Sequence, residues 1–540
     1  MTPLHSLNGT KFCPNLVPTN SHKNSRFGDA LSGGYSNPPR ICSDCTVLVA
    51  GVVDGGYTAA TSFHEFSRAQ TMSSSSEEPI NNGHLHRALG VRDIVLINIA
   101  AVLGVRWLST AAQMGPSSLT LWVLAVLVFF IPSALTVTEL SSRQPGEGGI
   151  YLWSKSAFGE FHGFVSGWAY WVNNMFYFPS LLLFLAGAFL FIGGERWLQL
   201  GDSSWYNTVF SLVLIWLVIG VNIIGVERGK WIASVGALAA IAVFIVLAIT
   251  GTWAWTAHGS ATQFTAASLI PDAGNFTTLT FFATMTFAFS GMELAPAMAG
   301  EIKEPKRSIP RAIIISGIVI AFVYIVGTSL VMVAVPEGQV NVITGIPQAF
   351  AAIGERISLP WLGALGGLLL VISSTGGLSA WVTGVARIPY VIGIDRYLPP
   401  ALGSTHPRYG TPHVSLLTQG VFVSLIILAV SAGATIQEAY IILLDLSIIL
   451  YLFPFLYMFA ALPVLRRRAN GNHEGVTLVP LGSAGPWIFG GLGFAATLLS
   501  IILAFIPPAG TSDPALFVIK IAASTLLFVA IGLGFYWRGR

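Results

Sequence analysis

Charge is scarce in this chain: Lys, Arg, Asp and Glu make up only 9% of 540 residues, against ~25% in a typical soluble domain. With 54% hydrophobic residues, no soluble fold could hide the apolar surface. Cysteine is scarcer still. Cys13, Cys42 and Cys45 all precede the apolar region, so disulfides play no part in it. The single Cys-x-x-Cys pair lacks the second pair of a zinc site and the βαβ context of a redox motif. Of ten histidines only His162 falls in an apolar run, and no His-x-x-x-His pairing occurs. An enzyme would need a nucleophile–base set or a metal cluster, and neither is visible; no cofactor is implied. Rings of charge or a filter sequence, the marks of a channel, are absent too. The net charge of +3 comes from bases spread over short loops, which gives no footing for nucleic acid.

What is present is hydrophobic length. A bilayer core about 30 Å thick is crossed by ~20 apolar helical residues, and twelve such runs can be read. They cover approximately 94–113, 119–138, 161–192, 205–226, 231–255, 277–300, 312–335, 361–386, 414–434, 439–465, 486–507 and 515–537. Placing the amino terminus in the cytoplasm puts Arg143, Lys155, Arg228, Lys303, Arg387 and Arg466 inside, and leaves Arg196 and Arg356 in outer loops. That asymmetry satisfies the positive-inside rule and predicts both termini in the cytoplasm. The expected class is an all-α polytopic protein of the plasma (cytoplasmic or inner) membrane, with the lipid bilayer as its surroundings. Residues 1–87 read as a disordered leader, with Met72 as a candidate true start.

Four ionisable residues interrupt the runs: Arg106, Glu293, Asp445 and Lys520. A charge inside a span costs at least about 2.5–3.5 kcal/mol and ordinarily faces a cavity, a partner or a substrate. Lys520 lies near a span end and is expected to snorkel. Transporters place substrate where helices unwind near the midplane. Phe287-Ala288-Phe289-Ser290-Gly291-Met292-Glu293 in the sixth run is the best candidate for such a break. Ala101-Val102-Leu103-Gly104-Val105-Arg106 in the first is a second. Asp445 could meet a cationic substrate group or cap an internal polar network. Asn173 and Asn174, in an aromatic-rich third run, need hydrogen-bond partners if buried.

The loop Glu301-Ile302-Lys303-Glu304-Pro305-Lys306-Arg307-Ser308-Ile309-Pro310-Arg311 resembles the signature of the amino acid–polyamine–organocation superfamily. Further segments match in order: Thr138-Glu139-Leu140 with Pro145 and Gly148-Gly149-x-Tyr151, Arg387 with Asp395-Arg396-Tyr397-Leu398-Pro399, His406-Pro407 with Thr411-Pro412, and Pro454-Phe455-Leu456-Tyr457. The style is closest to the glutamate/GABA antiporter branch. The resemblance implies a 5+5 inverted repeat, the LeuT-like fold, with broken helices one and six and two peripheral helices. Residues 88–465 would form the transport core, and 466–540 a cytoplasmic loop and the peripheral pair.

By that resemblance, substrate would meet Ala101, Val102, Leu103, Gly104, Phe287, Ser290, Gly291 and Trp381. Tyr170, Glu293 and Tyr457 would form an inner gate, with Glu293 also the candidate for proton coupling. One departure stands out. The superfamily usually carries Gly-Ser-Gly in the broken first helix, leaving bare amides for a substrate carboxylate, whereas the aligned residues here are Ala101-Val102-Leu103. Arg106 could compensate, because a guanidinium engages both oxygens of a carboxylate; pairing with a protein carboxylate, or snorkelling, is the alternative. The expected function is secondary active transport of amino acids by alternating access, proton-linked. Alternatives are a polyamine or other organic-amine carrier, or a non-transporting receptor.

Overall fold

The computed structural model describes residues 88–539 apart from 273–275, 337, 342–343, 432–435, 472 and 508–512. The expected leader, Met72 and all three cysteines lie outside the described residues. Within them the chain is helical, with a single isolated bridge between Leu89 and Ile302.

The helices used below are α1 (Val91–Val102), α2 (Arg106–Ala112), α3 (Ser117–Arg143), α4 (Ile150–Phe158), α5 (Glu160–Leu190), α6 (Ser204–Ile224) and α7 (Val226–His258). They continue with α8 (Phe276–Ala288), α9 (Leu294–Ala297), α10 (Pro305–Ala334), α11 (Gly345–Arg356), α12 (Leu362–Val385) and α13 (Arg387–Ile394). The last four are α14 (His413–Ser431), α15 (Ile436–Arg468), α16 (Gly485–Leu503) and α17 (Pro514–Gly539).

Among the described residues, ten helical segments are long and apolar enough to cross a membrane, α12 and α13 counting as one; α1 and α2 together make an eleventh, bent by 41°. The sixth predicted run is not one continuous helix: α8 ends at Ala288, and only the short α9 follows the interruption. The predicted run from 277 to 300 is therefore a broken element, interrupted in the segment 287–293 that the sequence pointed to. Helices α4 and α11 fall outside the twelve runs, and α13 continues the eighth beyond its predicted end. Too short to span, α11 buries Ile346, Phe350 and Ile353 along one face, the 3–4 spacing of an amphipathic helix. Helix α4 turns the chain between α3 and α5.

Hydropathy explains the outer surface. Leu217, Trp231, Ile318 and Leu526 are largely exposed on α6, α7, α10 and α17, tolerable only where the surroundings are hydrocarbon. Inside, helices approach closely through small residues. At the crossing of α7 and α12, a Cβ on Gly236 would stand 2.4 Å from the Cα of Gly376, so neither position accepts a side chain without separating the helices.

The signature segments converge on one end of the bundle. Gly148 N–H donates to the Ala297 carbonyl (3.2 Å), and the Glu301 carbonyl accepts from the amides of Ala88 and Leu89, both at 2.9 Å. Arg387 pairs with Glu301 at 2.6 Å. Lys155 pairs with Asp395 at 2.7 Å, and the Tyr151 hydroxyl donates to the same carboxylate. Glu139, fully buried, accepts from Arg143 and from Arg466 Nε, each at 2.9 Å. Motifs far apart in sequence thus form one polar floor.

Candidate functional site

A broken helix leaves backbone groups without partners, and in a membrane they must be satisfied by protein. One side chain does this for both breaks. The Tyr324 hydroxyl, from α10, accepts from Gly104 N–H (3.1 Å) and reaches the carbonyls of Val102 and Ala288, the latter at 3.1 Å. Tyr324 therefore ties the end of α1 to the end of α8. Trp381 of α12 adds a second tie, its Nε1 donating to the Ala101 carbonyl at 2.9 Å.

The α8 break depends on glycine. Gly291 has φ +127°, a region that side chains rarely enter. A Cβ there would lie 2.8 Å from Val102 Cγ2 and 3.2 Å from Trp381 Cζ2. The two breaks consequently touch. Ser290 Oγ donates back to the Thr286 carbonyl at 3.0 Å, closing the last turn of α8.

Glu293 sits at the far side of this break with 1% exposure. Its Oε1 accepts from the hydroxyls of Tyr170 (2.8 Å) and Tyr451, and its Oε2 from Gly291 N–H at 3.0 Å. Three donors thus converge on one carboxylate, whose two oxygens can accept them all. Tyr170, Glu293 and Tyr451 join α5, the α8–α9 break and α15. The expected third member was Tyr457. It lies instead beside His162, 3.2 Å from Nδ1, and Tyr451 takes its place.

Between the breaks is a small cavity bordered by Ala101, Val102, Trp107, Asn173, Asn174, Tyr177, Phe287, Ala288, Ser290, Trp381 and Tyr451. Phe287 packs edge-on against Trp107 (5.8 Å), Tyr177 (5.9 Å) and Tyr451 (5.3 Å), and Trp381 lies 5.6 Å from Tyr451. The cavity offers about 10 Å³, near the lower limit for one water. An amino acid does not fit in that volume, and a substrate binds here only if these walls part.

Arg106 begins α2 directly behind two of those walls. Its guanidinium lies 4.3 Å from the Trp107 ring centroid, 5.1 Å from Tyr177 and 5.7 Å from Phe184. The side chain is buried, and among the described residues neither terminal nitrogen has a hydrogen-bond partner. It neither snorkels nor pairs with a protein carboxylate. Aromatic faces give a cation about 0.5–2 kcal/mol each, comparable in sum to the cost of a buried charge. They leave the hydrogen-bonding directions of both terminal nitrogens unused among the described residues. A second unsatisfied group borders the cavity: Asn174 donates to the Tyr170 carbonyl at 2.9 Å, while its Oδ1 is buried without a partner.

The remaining expected contacts divide. Phe287, Ser290 and Trp381 border the cavity as expected; Gly291 lies beside it and shapes the break. Ala101 and Val102 border it too, but not with bare amides. Both belong to α1, whose break begins at Leu103, and it is their carbonyls that Trp381 and Tyr324 engage. The Leu103 amide is bonded to the Ile99 carbonyl (2.9 Å) and the Gly104 amide to Tyr324. The departure from Gly-Ser-Gly thus has a structural counterpart: a carboxylate would find the amides of 103 and 104 already bonded. Asp445 stands apart from the cavity residues. It is not brought to the cavity; on α15 it shares a face with Ile449 and Phe453, which border a separate apolar cavity with α5, α16 and α17. Lys520 is exposed. Sequence reasoning missed Tyr324 and Tyr451.

Residues 89–531 match the amino acid permease family. An uncharacterized transporter of Legionella pneumophila is 31% identical over 79% of this chain and 91% of its own. A probable agmatine/putrescine antiporter of Lactococcus lactis is 27% identical over 69% of this chain and 78% of its own. The glutamate/gamma-aminobutyrate antiporter of the same organism is 23% identical over 72% and 77%. With membrane-crossing helices, two touching helix breaks and a match across most of its length, this multi-pass membrane protein belongs to the amino acid permease family.

Proposed function

We propose that this protein carries amino acids, bound through their carboxylate, across the membrane by alternating access. The observation that carries the proposal is Arg106: a buried guanidinium, unpaired at both terminal nitrogens, held behind the walls of a cavity between two helix breaks. A carboxylate reaching it would form two charge-assisted hydrogen bonds at once. The free Oδ1 of Asn174 supplies an acceptor for the substrate ammonium. The breaks fall in the first and sixth runs, as an inverted repeat of five helices requires, and both termini are taken as cytoplasmic from the distribution of bases.

Glu293 is the proposed gate and proton-exchange group. Separating α5 from α15 would break its bonds to Tyr170 and Tyr451 and leave a buried carboxylate short of donors, a state in which it takes up a proton more readily. A carrier of organic amines is the second reading. The similarity to a probable agmatine/putrescine antiporter favours it. Against it, the carboxylate nearest the cavity, Glu293, already has three donors, and Asp445 lies elsewhere.

A thermal-shift screen of the purified protein tests the assignment, since a ligand that binds only the native state raises its stability by about 2.7 kcal/mol at a hundred times its Kd. Amino acids are expected to stabilise and their decarboxylated amines not. Stabilisation by diamines alone would reverse the order of the two readings.

A further inference from the structure

One cluster of the polar floor holds two carboxylates against a single guanidinium. Arg387 pairs with Glu301, the two side chains being 1% and 2% exposed. A second carboxylate, Glu147 from the loop between α3 and α4, lies against Gly300; a Cβ on that glycine would come within 2.5 Å of Glu147 Oε1. Two carboxylates therefore share one guanidinium. Glu147 Oε1, Glu301 Oε2 and Arg387 Nε are all buried without hydrogen-bond partners among the described residues. The groups facing Glu147 are Glu301, Arg387 and Tyr390, with the Gly300 amide offering a hydrogen bond. Next to them Tyr151, Lys155 and Asp395 bond to one another.

We propose that Glu147 is a proton-binding site of the cytoplasmic gate, distinct from Glu293: it holds a proton while the floor is shut and releases it when the floor opens. The inference rests on the alternating-access reading and on the proposed orientation. Its geometric basis is that Glu147, Glu301 and Arg387 stand on three separate elements, the α3–α4 loop, the turn after α9 and the start of α13. Parting those elements wets all three and dissolves the shared burial that keeps the second carboxylate neutral. No co-reactant is needed, because the proton passes between Glu147 and water.

Burial, then the Glu301 charge, push the Glu147 carboxyl up to about 8 from 4.5, with Arg387 and the Gly300 amide opposing. The sign follows. The shut floor binds the proton more tightly than the open one, so acid favours shutting. Between pH 4.5 and about 8 the shut form loses up to about tenfold in population per pH unit relative to the open form.

Thermal melts of the purified full chain from pH 5 to 8.5 read the site without requiring transport. Glu147→Gln keeps the shape and cannot ionise, so its melting temperature is expected to gain on the wild type as pH rises. Glu301→Gln removes the charge that resists ionisation and turns Arg387 toward Glu147, which should move the pH midpoint downward. In right-side-out vesicles, whose lumen is the cytoplasmic face, Glu147→Gln should flatten the lumenal pH dependence of uptake and spare the external KM. A gap between Glu147→Gln and wild type that is equal at every pH, with no midpoint shift in Glu301→Gln, overturns the proposal whatever the flux shows. Should Glu147→Gln fail to fold, the Glu301→Gln midpoint decides alone. Loss of flux in the wild type itself would strike the transport reading and leave the melts to judge Glu147.

Discussion

Replacing Arg106 by lysine preserves the charge and removes the fork. The guanidinium lies over the faces of Trp107 and Tyr177 with both terminal nitrogens free, so a substrate carboxylate can take two parallel bonds from it. A lysine ammonium there would supply one bond at most along the carboxylate plane. A hydrogen bond to a charged group is worth about 1.5–3 kcal/mol, so the loss corresponds to roughly ten- to a hundredfold in Kd. Titrating purified wild type and Arg106→Lys with an amino acid and with its decarboxylated amine should show that loss for the acid and little change for the amine.

A companion variant sharpens the case. Arg106→Met removes a buried cation that has no carboxylate partner among the described residues, and a well-packed apolar replacement of a buried charge is often neutral or stabilising. Its melting temperature should hold or rise while amino acid binding disappears. Equal losses for acid and amine, or a substantial drop in the stability of Arg106→Met, would make Arg106 a structural residue and refute the reasoning.

Three further outcomes follow from the breaks and the gate. Tyr324→Phe removes the hydroxyl that ties the Val102 and Ala288 ends of the two breaks together; a buried group left without its partner costs about 1–3 kcal/mol, so thermal melts should show destabilisation. Gly291→Ala must hold a Cβ at φ +127° and 2.8 Å from Val102 Cγ2, a strain of about 1–3 kcal/mol; uptake normalised to folded protein should fall, and normal uptake would mean that the break tolerates a side chain. Glu293→Gln retains the shape while losing ionisation. Binding should survive, and the pH dependence of uptake between pH 5 and 8 should flatten; an active mutant with an unchanged profile would remove Glu293 from proton coupling.

Much of the architecture was legible because a membrane imposes length. The edges of the apolar runs lie within a few residues of most helix ends, as with 161–192 against Glu160–Leu190 and 486–507 against Gly485–Leu503. The α8 break could be read from Ser290-Gly291 ahead of Glu293, since only glycine enters that backbone region easily. Phase on a uniformly apolar helix could not. Tyr451 and Tyr457 stand on α15 roughly 120° apart, and hydropathy gives no sign of which faces Glu293. The same ambiguity misplaced Asp445, which shares its face with Ile449 and Phe453 rather than with Tyr451. Tyr324 was invisible for another reason. Its partners, Val102 and Ala288, come from two other segments, and a tyrosine in an apolar run carries no mark of the backbone it will satisfy.

Flux through the purified protein tests the central claim most directly. In proteoliposomes, labelled amino acids should accumulate with time above protein-free vesicles, and unlabelled amino acids should compete while putrescine does not. Vesicles that bind amino acids without accumulating them, or that accumulate putrescine alone, would contradict the account.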